Sequence, residues 1–146
     1  MTIHMSHGLK IIIAEDDEGH ALLIKKNLQK TGIQSEYLHF SNGEDVINFL
    51  RSINENRFDK KNQKLVVLLD LKMPRMNGIE VLRYIRSDRL LNHIPVYMIS
   101  TTDNKKEIEI CKSLGCNSFI IKPVEYDVFA STIQNLGFSL QELDLA

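Results

Sequence analysis

Apolar positions along this chain fall into two kinds of segment. Leu9–Ala14 (LKIIIA), Leu65–Leu69 (LVVLL), Val96–Ile99 (VYMI) and Phe119–Ile121 (FII) are short, nearly unbroken apolar runs. Runs of that kind are how strands covered on both faces read. A further candidate, Glu36–Phe40 (EYLHF), alternates instead, which predicts a strand nearer a sheet edge. Between the runs, apolar residues recur at helical spacing. Ala21, Ile24 and Leu28 precede Gly32; Val46, Ile47 and Leu50 follow Ser41–Asn42; Ile79, Leu82 and Ile85 follow Asn77–Gly78. Ile108 and Cys111 precede Gly115, and Phe129, Ile133 and Leu136 precede Gly137, where the last helix is expected to stop. Strand and helix thus alternate five times. Such alternation predicts right-handed crossovers and an α/β fold: a doubly wound five-stranded parallel sheet with five helices. No repeat or long Pro/Gly/Ser linker divides it, and the polar stretch Asn54–Lys64 reads as a solvated loop.

Composition narrows the class. A length of 146 residues with 43% apolar positions suits one domain with a real core. Lys and Arg total 18 against 19 Asp and Glu, so no global field draws the chain to nucleic acid or to an anionic membrane. No apolar run is long enough to span a bilayer. The N-terminus MTIHMSHG lacks the regions of a secretory signal, so a cytoplasmic location is expected. Residues 1–8 stand apart as an N-terminal extension, with Met5 a second candidate start. Cys111 and Cys116 have no partners at zinc-ligand spacing and read as small hydrophobes.

In an open parallel sheet the ligand site lies outside the carboxyl ends of the strands. Glu15, Asp16 and Asp17 follow the first strand, Asp70 the third, Ser100 with Thr101 and Thr102 the fourth, and Lys122–Pro123 the fifth. Clustered carboxylates repel one another, and a hard divalent cation relieves them. Carboxylates, water and phosphate are the ligands that Mg²⁺ prefers, with Mn²⁺ a substitute. A carboxylate can then attack a phosphoryl group, with Ser100 and Lys122 suited to the phosphoryl oxygens. Taken alone, Glu15–Asp17 reads equally well as a solvated turn; acidic and basic groups ending several strands weigh against that. There is no GxGxxG, no GxxxxGK[ST] and no hydrolase nucleophile motif. A flavin would place its phosphate on an acidic nest.

The segments IIIAEDD (11–17), LLDLKMPRMNGIEVLRYIR (68–86), PVYMIST (95–101) and GCNSFIIKP (115–123), in this order, resemble the receiver domain of two-component response regulators over residues 9–136. The resemblance implies a flavodoxin-like strand order 2-1-3-4-5. It implies Asp70 as phosphoryl acceptor. It implies a metal held by Asp16, Asp70, the Lys72 carbonyl and, through water, Glu15. Ser100, Thr101 and Lys122 would bind the phosphoryl group, Ser100 and Phe119 would form the switch, and Lys122–Pro123 would be cis. Either adjacent pair of Glu15–Asp16–Asp17 could supply the metal carboxylates; Glu15 and Asp16 are favoured because the strand ends at Ala14, leaving Asp17 to start a helix. Ser100 stands where threonine is frequent, and Phe119 where tyrosine is frequent.

The implied donor is a phosphohistidine on a sensor histidine kinase or phosphotransfer protein, and a likeness to single-domain, chemotaxis-regulator-like members extends to those paired with phytochrome-type kinases. The chain would then be a phosphoacceptor with self-catalysed phosphoryl transfer and slow autodephosphorylation, not a conventional enzyme. Only the tail 137–146 follows the expected last helix, so output is expected through the fourth helix, fifth strand and fifth helix docking to a downstream protein or a second copy. Competing readings are a phosphorylation-independent adaptor and a metal-dependent phosphatase.

Overall fold

A computed structural model describes residues 8–55 and 64–145. Its elements are β1 (Leu9–Ala14), α1 (Glu18–Gln29), β2 (Ser35–Phe40), α2 (Gly43–Glu55), β3 (Lys64–Leu69), α3 (Gly78–Ser87), β4 (Val96–Ser100), α4 (Lys105–Ser113), β5 (Ser118–Ile121) and α5 (Tyr126–Leu145). Residues 1–7 of the extension, residues 56–63 of the polar stretch and Ala146 lie outside the described residues. All pairings are parallel, in the order β2-β1-β3-β4-β5. This is the doubly wound, flavodoxin-like arrangement expected.

The unbroken runs have a simple cause. β1 and β3 lie inside the sheet, and alternate residues feed two separate cores. Ile12, Ala14, Val67 and Leu69 pack with Val46, Leu50, Val81, Leu82 and Ile85 of α2 and α3. Ile11, Ile13, Val66 and Leu68 pack with Ile24 and Leu28 of α1 and Phe129, Ile133 and Leu136 of α5. With both faces covered, polar side chains are confined to the strand starts, Lys10 in β1 and Lys64 in β3, and the rest of each run is apolar. β2 alternates because it is an edge strand. Cys111 is buried and free, and burial pushes its thiol up to about 11. No described helix is long and apolar enough to cross a membrane.

One boundary needs correction. The last helix does not stop at Gly137 and leave a tail; α5 runs on to Leu145. A helix-terminating glycine takes a left-handed conformation, and Gly137 is not among the positive-φ residues. It is there for space. A Cβ at 137 would lie 2.8 Å from Thr31 Cγ2 and 2.9 Å from Thr31 Oγ1, so glycine lets α5 close on the end of α1. Beyond it Leu140 is fully buried, and Gln141 Nε2 donates to the Thr31 carbonyl at 2.7 Å. The helix continues because its apolar stripe continues. Gly137→Ala should destabilise the chain by about 1–2 kcal/mol. Overpacking, worth ~1–3 kcal/mol, outweighs the ~1 kcal/mol gain in helix propensity. Thr31 has little freedom to yield, since its hydroxyl donates to the Leu28 carbonyl at 2.6 Å. A urea midpoint at or above wild type would show that the two helices part without cost.

Candidate functional site

Four of the five strand ends, those of β1, β3, β4 and β5, deliver side chains to the same edge. β1 and β3 pair with Ala14 opposite Leu69, so the next residues, Glu15 and Asp70, emerge side by side. Their backbones are still tethered: Glu15 N–H donates to the Phe40 carbonyl and Asp70 N–H to the Ala14 carbonyl, both at 2.9 Å. Across the sheet, Lys122 N–H donates to the Ser100 carbonyl at 2.7 Å.

Carboxylate oxygens of Glu15, Asp16 and Asp70 lie within 4.8 Å of one another. Glu15 and Asp70 are only 2% and 8% exposed, while Asp16 faces solvent. Lys122 Nζ forms a buried ion pair with Glu15 and lies 3.4 Å from Asp70 Oδ2. Burial pushes the Glu15 carboxyl up to about 7; the Lys122 hydrogen bond opposes the shift and the Asp70 charge adds to it. Three hard carboxylates facing one ammonium form a donor set that fits a small divalent cation. Asp17 serves differently. It caps α1, its Oδ1 accepting the His20 N–H at 3.0 Å, and that bond lowers its carboxyl below the usual range.

The loop after Asp70 is held at both ends. Leu71 and Met73 are buried in the core, which assigns Met73 to packing, while Lys72 is exposed. Gly78 N–H closes the loop on the Leu71 carbonyl at 2.7 Å. Asn77 and Glu80 form a reciprocal capping box at the start of α3. Arg75 takes φ 62° and pairs with Glu44 of α2 at 2.6 Å.

On the β4 side, Ser100 is fully buried and its Oγ accepts the Thr102 N–H at 3.3 Å. Thr102 Oγ1 in turn donates to Glu107 Oε1 on α4 at 2.9 Å. Thr101 is exposed and lines, with His20, Lys122 and Pro123, a cavity of about 350 Å³. Phe119 is half-buried against the α2–α3 core.

The expected cis bond is corrected: every described peptide is trans, Lys122–Pro123 included. Trans is favoured before proline by ~0.5–1 kcal/mol, and Lys122 is aimed without a cis bond by the Ser100 carbonyl and the acidic pair. His20 was not legible as a site residue. Its Nδ1 lies 3.1 Å from Lys122 Nζ, a partner 102 positions away. The one sequence signal was Asp17 as a helix cap, which fixes where residue 20 sits.

The chain resembles known proteins in both sequence and structure. A response regulator receiver domain from Rhodospirillum rubrum is 36% identical with a TM-score of 0.81, covering 90% of this chain and 93% of that one. The phosphorylated cyanobacterial phytochrome response regulator RcpA is 28% identical with a TM-score of 0.78, covering 88% and 91%. Chemotaxis protein CheY1 of Helicobacter pylori is 26% identical over 127 residues, which span 86% of this chain and 94% of the relative. The profile of the response regulator receiver domain matches residues 11–134, spanning all five strands and the acidic edge, and the chain belongs to that family.

Proposed function

We propose that this receiver accepts a phosphoryl group on Asp70 from a phosphohistidine of a sensor kinase or phosphotransfer protein. The observation that carries the reading is the acidic cluster Glu15, Asp16 and Asp70 with Lys122 bonded into it, at the carboxyl edge of a parallel sheet. A carboxylate oxygen of Asp70 attacks phosphorus in line; the P–N bond of the donor breaks and its electron pair leaves on the imidazole. Asp16 and Asp70, the Lys72 carbonyl and Glu15 through water would hold Mg²⁺ or Mn²⁺. Such an ion supplies charge neutralisation for the phosphoryl oxygens. Lys122 is placed to meet one phosphoryl oxygen, and Thr101 offers a hydroxyl on the open side. Ser100 would swing its hydroxyl round to donate to another phosphoryl oxygen, giving up the Thr102 N–H that its Oγ accepts.

That exchange pulls on the loop leading into α4, and Phe119 on β5 lies next along the core, so a local charge change biases a surface. Exposed Ile110, Ile121, Tyr126 and Val128 give the α4–β5–α5 face an apolar contact area for a downstream protein or a second copy. Similarity to a phytochrome response regulator favours a phytochrome-type kinase as donor. The proposed setting is the cytoplasm, and the proposed fate of the phosphate is slow self-catalysed loss without conventional enzymatic turnover.

The test is labelling by acetyl phosphate with Mg²⁺, read by intact mass. One base-labile phosphoryl group should appear, fail to form when a chelator replaces Mg²⁺, and be absent from Asp70→Asn. An unlabelled wild type, or an Asp70→Asn variant labelled as fully as wild type, sinks the reading and leaves a phosphorylation-independent adaptor.

A further inference from the structure

Lys122 Nζ has three side-chain acceptors around it: Glu15 Oε1, Asp70 Oδ2 at 3.4 Å and His20 Nδ1 at 3.1 Å. The first two belong to the acidic site. The third comes from α1 and takes no part in the chemistry above. An ammonium has three donors and no lone pair, so His20 Nδ1 accepts and the ring proton sits on Nε2. Asp17 Oδ1 holds the His20 backbone N–H at the helix cap, and the half-exposed imidazole packs on the buried Phe129 with centroids 6.4 Å apart. Asp17 Oδ2 is 3.9 Å from Nδ1, beyond hydrogen-bond reach, so it does not compete for that nitrogen. His20 and Lys122 both line the 350 Å³ cavity.

We propose that His20 is a positioning residue for phosphoryl transfer: by accepting one N–H of Lys122 it keeps the ammonium from closing onto Asp70. The inference rests on the phosphoacceptor reading. Of the three contacts, the one to Asp70 is the longest. Without His20, the third N–H turns to the carboxylates. Lys122 then gathers on the oxygen that must attack phosphorus and places a positive charge where a cation has to bind. His20 thus holds the lysine ready yet leaves the acceptor open.

Two variants separate positioning from bulk. His20→Leu keeps the volume and removes the acceptor. His20→Asn puts an amide oxygen where Nδ1 branches from the ring. With acetyl phosphate and Mg²⁺, His20→Leu should be labelled about tenfold more slowly, equivalent to the ~1.4 kcal/mol of one hydrogen bond to a charged group, and should need more Mg²⁺ for half-maximal rate. His20→Asn should recover most of the rate. Imidazole ¹⁵N shifts of the metal-free wild type should report the Nε2–H tautomer, with that bias lost in Lys122→Met. Equal slowing in both His20 variants, an unaffected His20→Leu, or an Nδ1–H ring overturns the inference while the labelled wild type upholds the phosphoacceptor. An unlabelled wild type overturns both.

Discussion

Replacing Lys122 by methionine should cost the metal-free chain about 3 kcal/mol, the lower end of what breaking a buried ion pair typically costs. Lys122 is buried, and it is the cation bonded to Glu15 and Asp70, themselves nearly inaccessible to water. Methionine keeps most of the aliphatic stem and removes the charge, leaving two close carboxylates without a counter-ion. The loss stays at the lower end because Glu15, already pushed up to about 7 by burial, can take up a proton. Saturating Mg²⁺ should narrow the gap, since a cation bound only by the folded chain stabilises it by mass action, and more so where no ammonium competes. Urea titrations of both proteins with Mg²⁺ and with chelator decide it. A gap that is absent, or that Mg²⁺ leaves unchanged, would mean that Lys122 and the cation do not share the carboxylates.

The fold was legible where burial leaves a mark on composition. β1 and β3 are covered on both faces, so Leu9–Ala14 and Leu65–Leu69 carry no alternation, and the alternating β2 was placed at an edge, where it lies. Strand order was different. Periodicity says how a strand is covered but not which strand lies beside it, and 2-1-3-4-5 came through family resemblance. The acidic edge was legible because parallel strands deliver the residues after each apolar run to one place. Gly137 misled because a glycine that ends a helix and one that lets a helix close on its neighbour look alike; only Thr31, in the turn after α1, separates them. Pro123 misled in a similar way, as resemblance carried over a peptide geometry that its sequence alone does not specify. His20 left only the indirect trace of the Asp17 cap, since its meaning lies in a lysine 102 positions away that the fold brings to it.

Gly78→Ala should slow transfer by about a hundredfold, although residue 78 touches no reacting atom. A Cβ there would lie 2.3 Å from the Asp70 carbonyl oxygen and 2.8 Å from Leu71 Cα. Both are backbone atoms, so no side chain can rotate away and the strand end itself must shift. The loop has little slack to absorb this. Its ends are joined by the Gly78 N–H to the Leu71 carbonyl, Arg75 already sits at φ 62°, and the Asn77–Glu80 box fixes the entry to α3. Ala is the better helix former, by ~1 kcal/mol, but overpacking against backbone costs about 3 kcal/mol and sets the sign. Displacing the acceptor by an ångström costs reaction rate by about a hundredfold, because in-line attack tolerates little misplacement. Acetyl phosphate labelling of Gly78→Ala at a temperature where it remains folded should therefore be slower by that order, with the urea midpoint reduced. Wild-type labelling with a reduced midpoint would show that the α3 cap supports the fold without aiming Asp70. Wild-type behaviour in both would show that the Asp70–Leu71 backbone moves aside freely, and that the loop does not hold the acceptor in place.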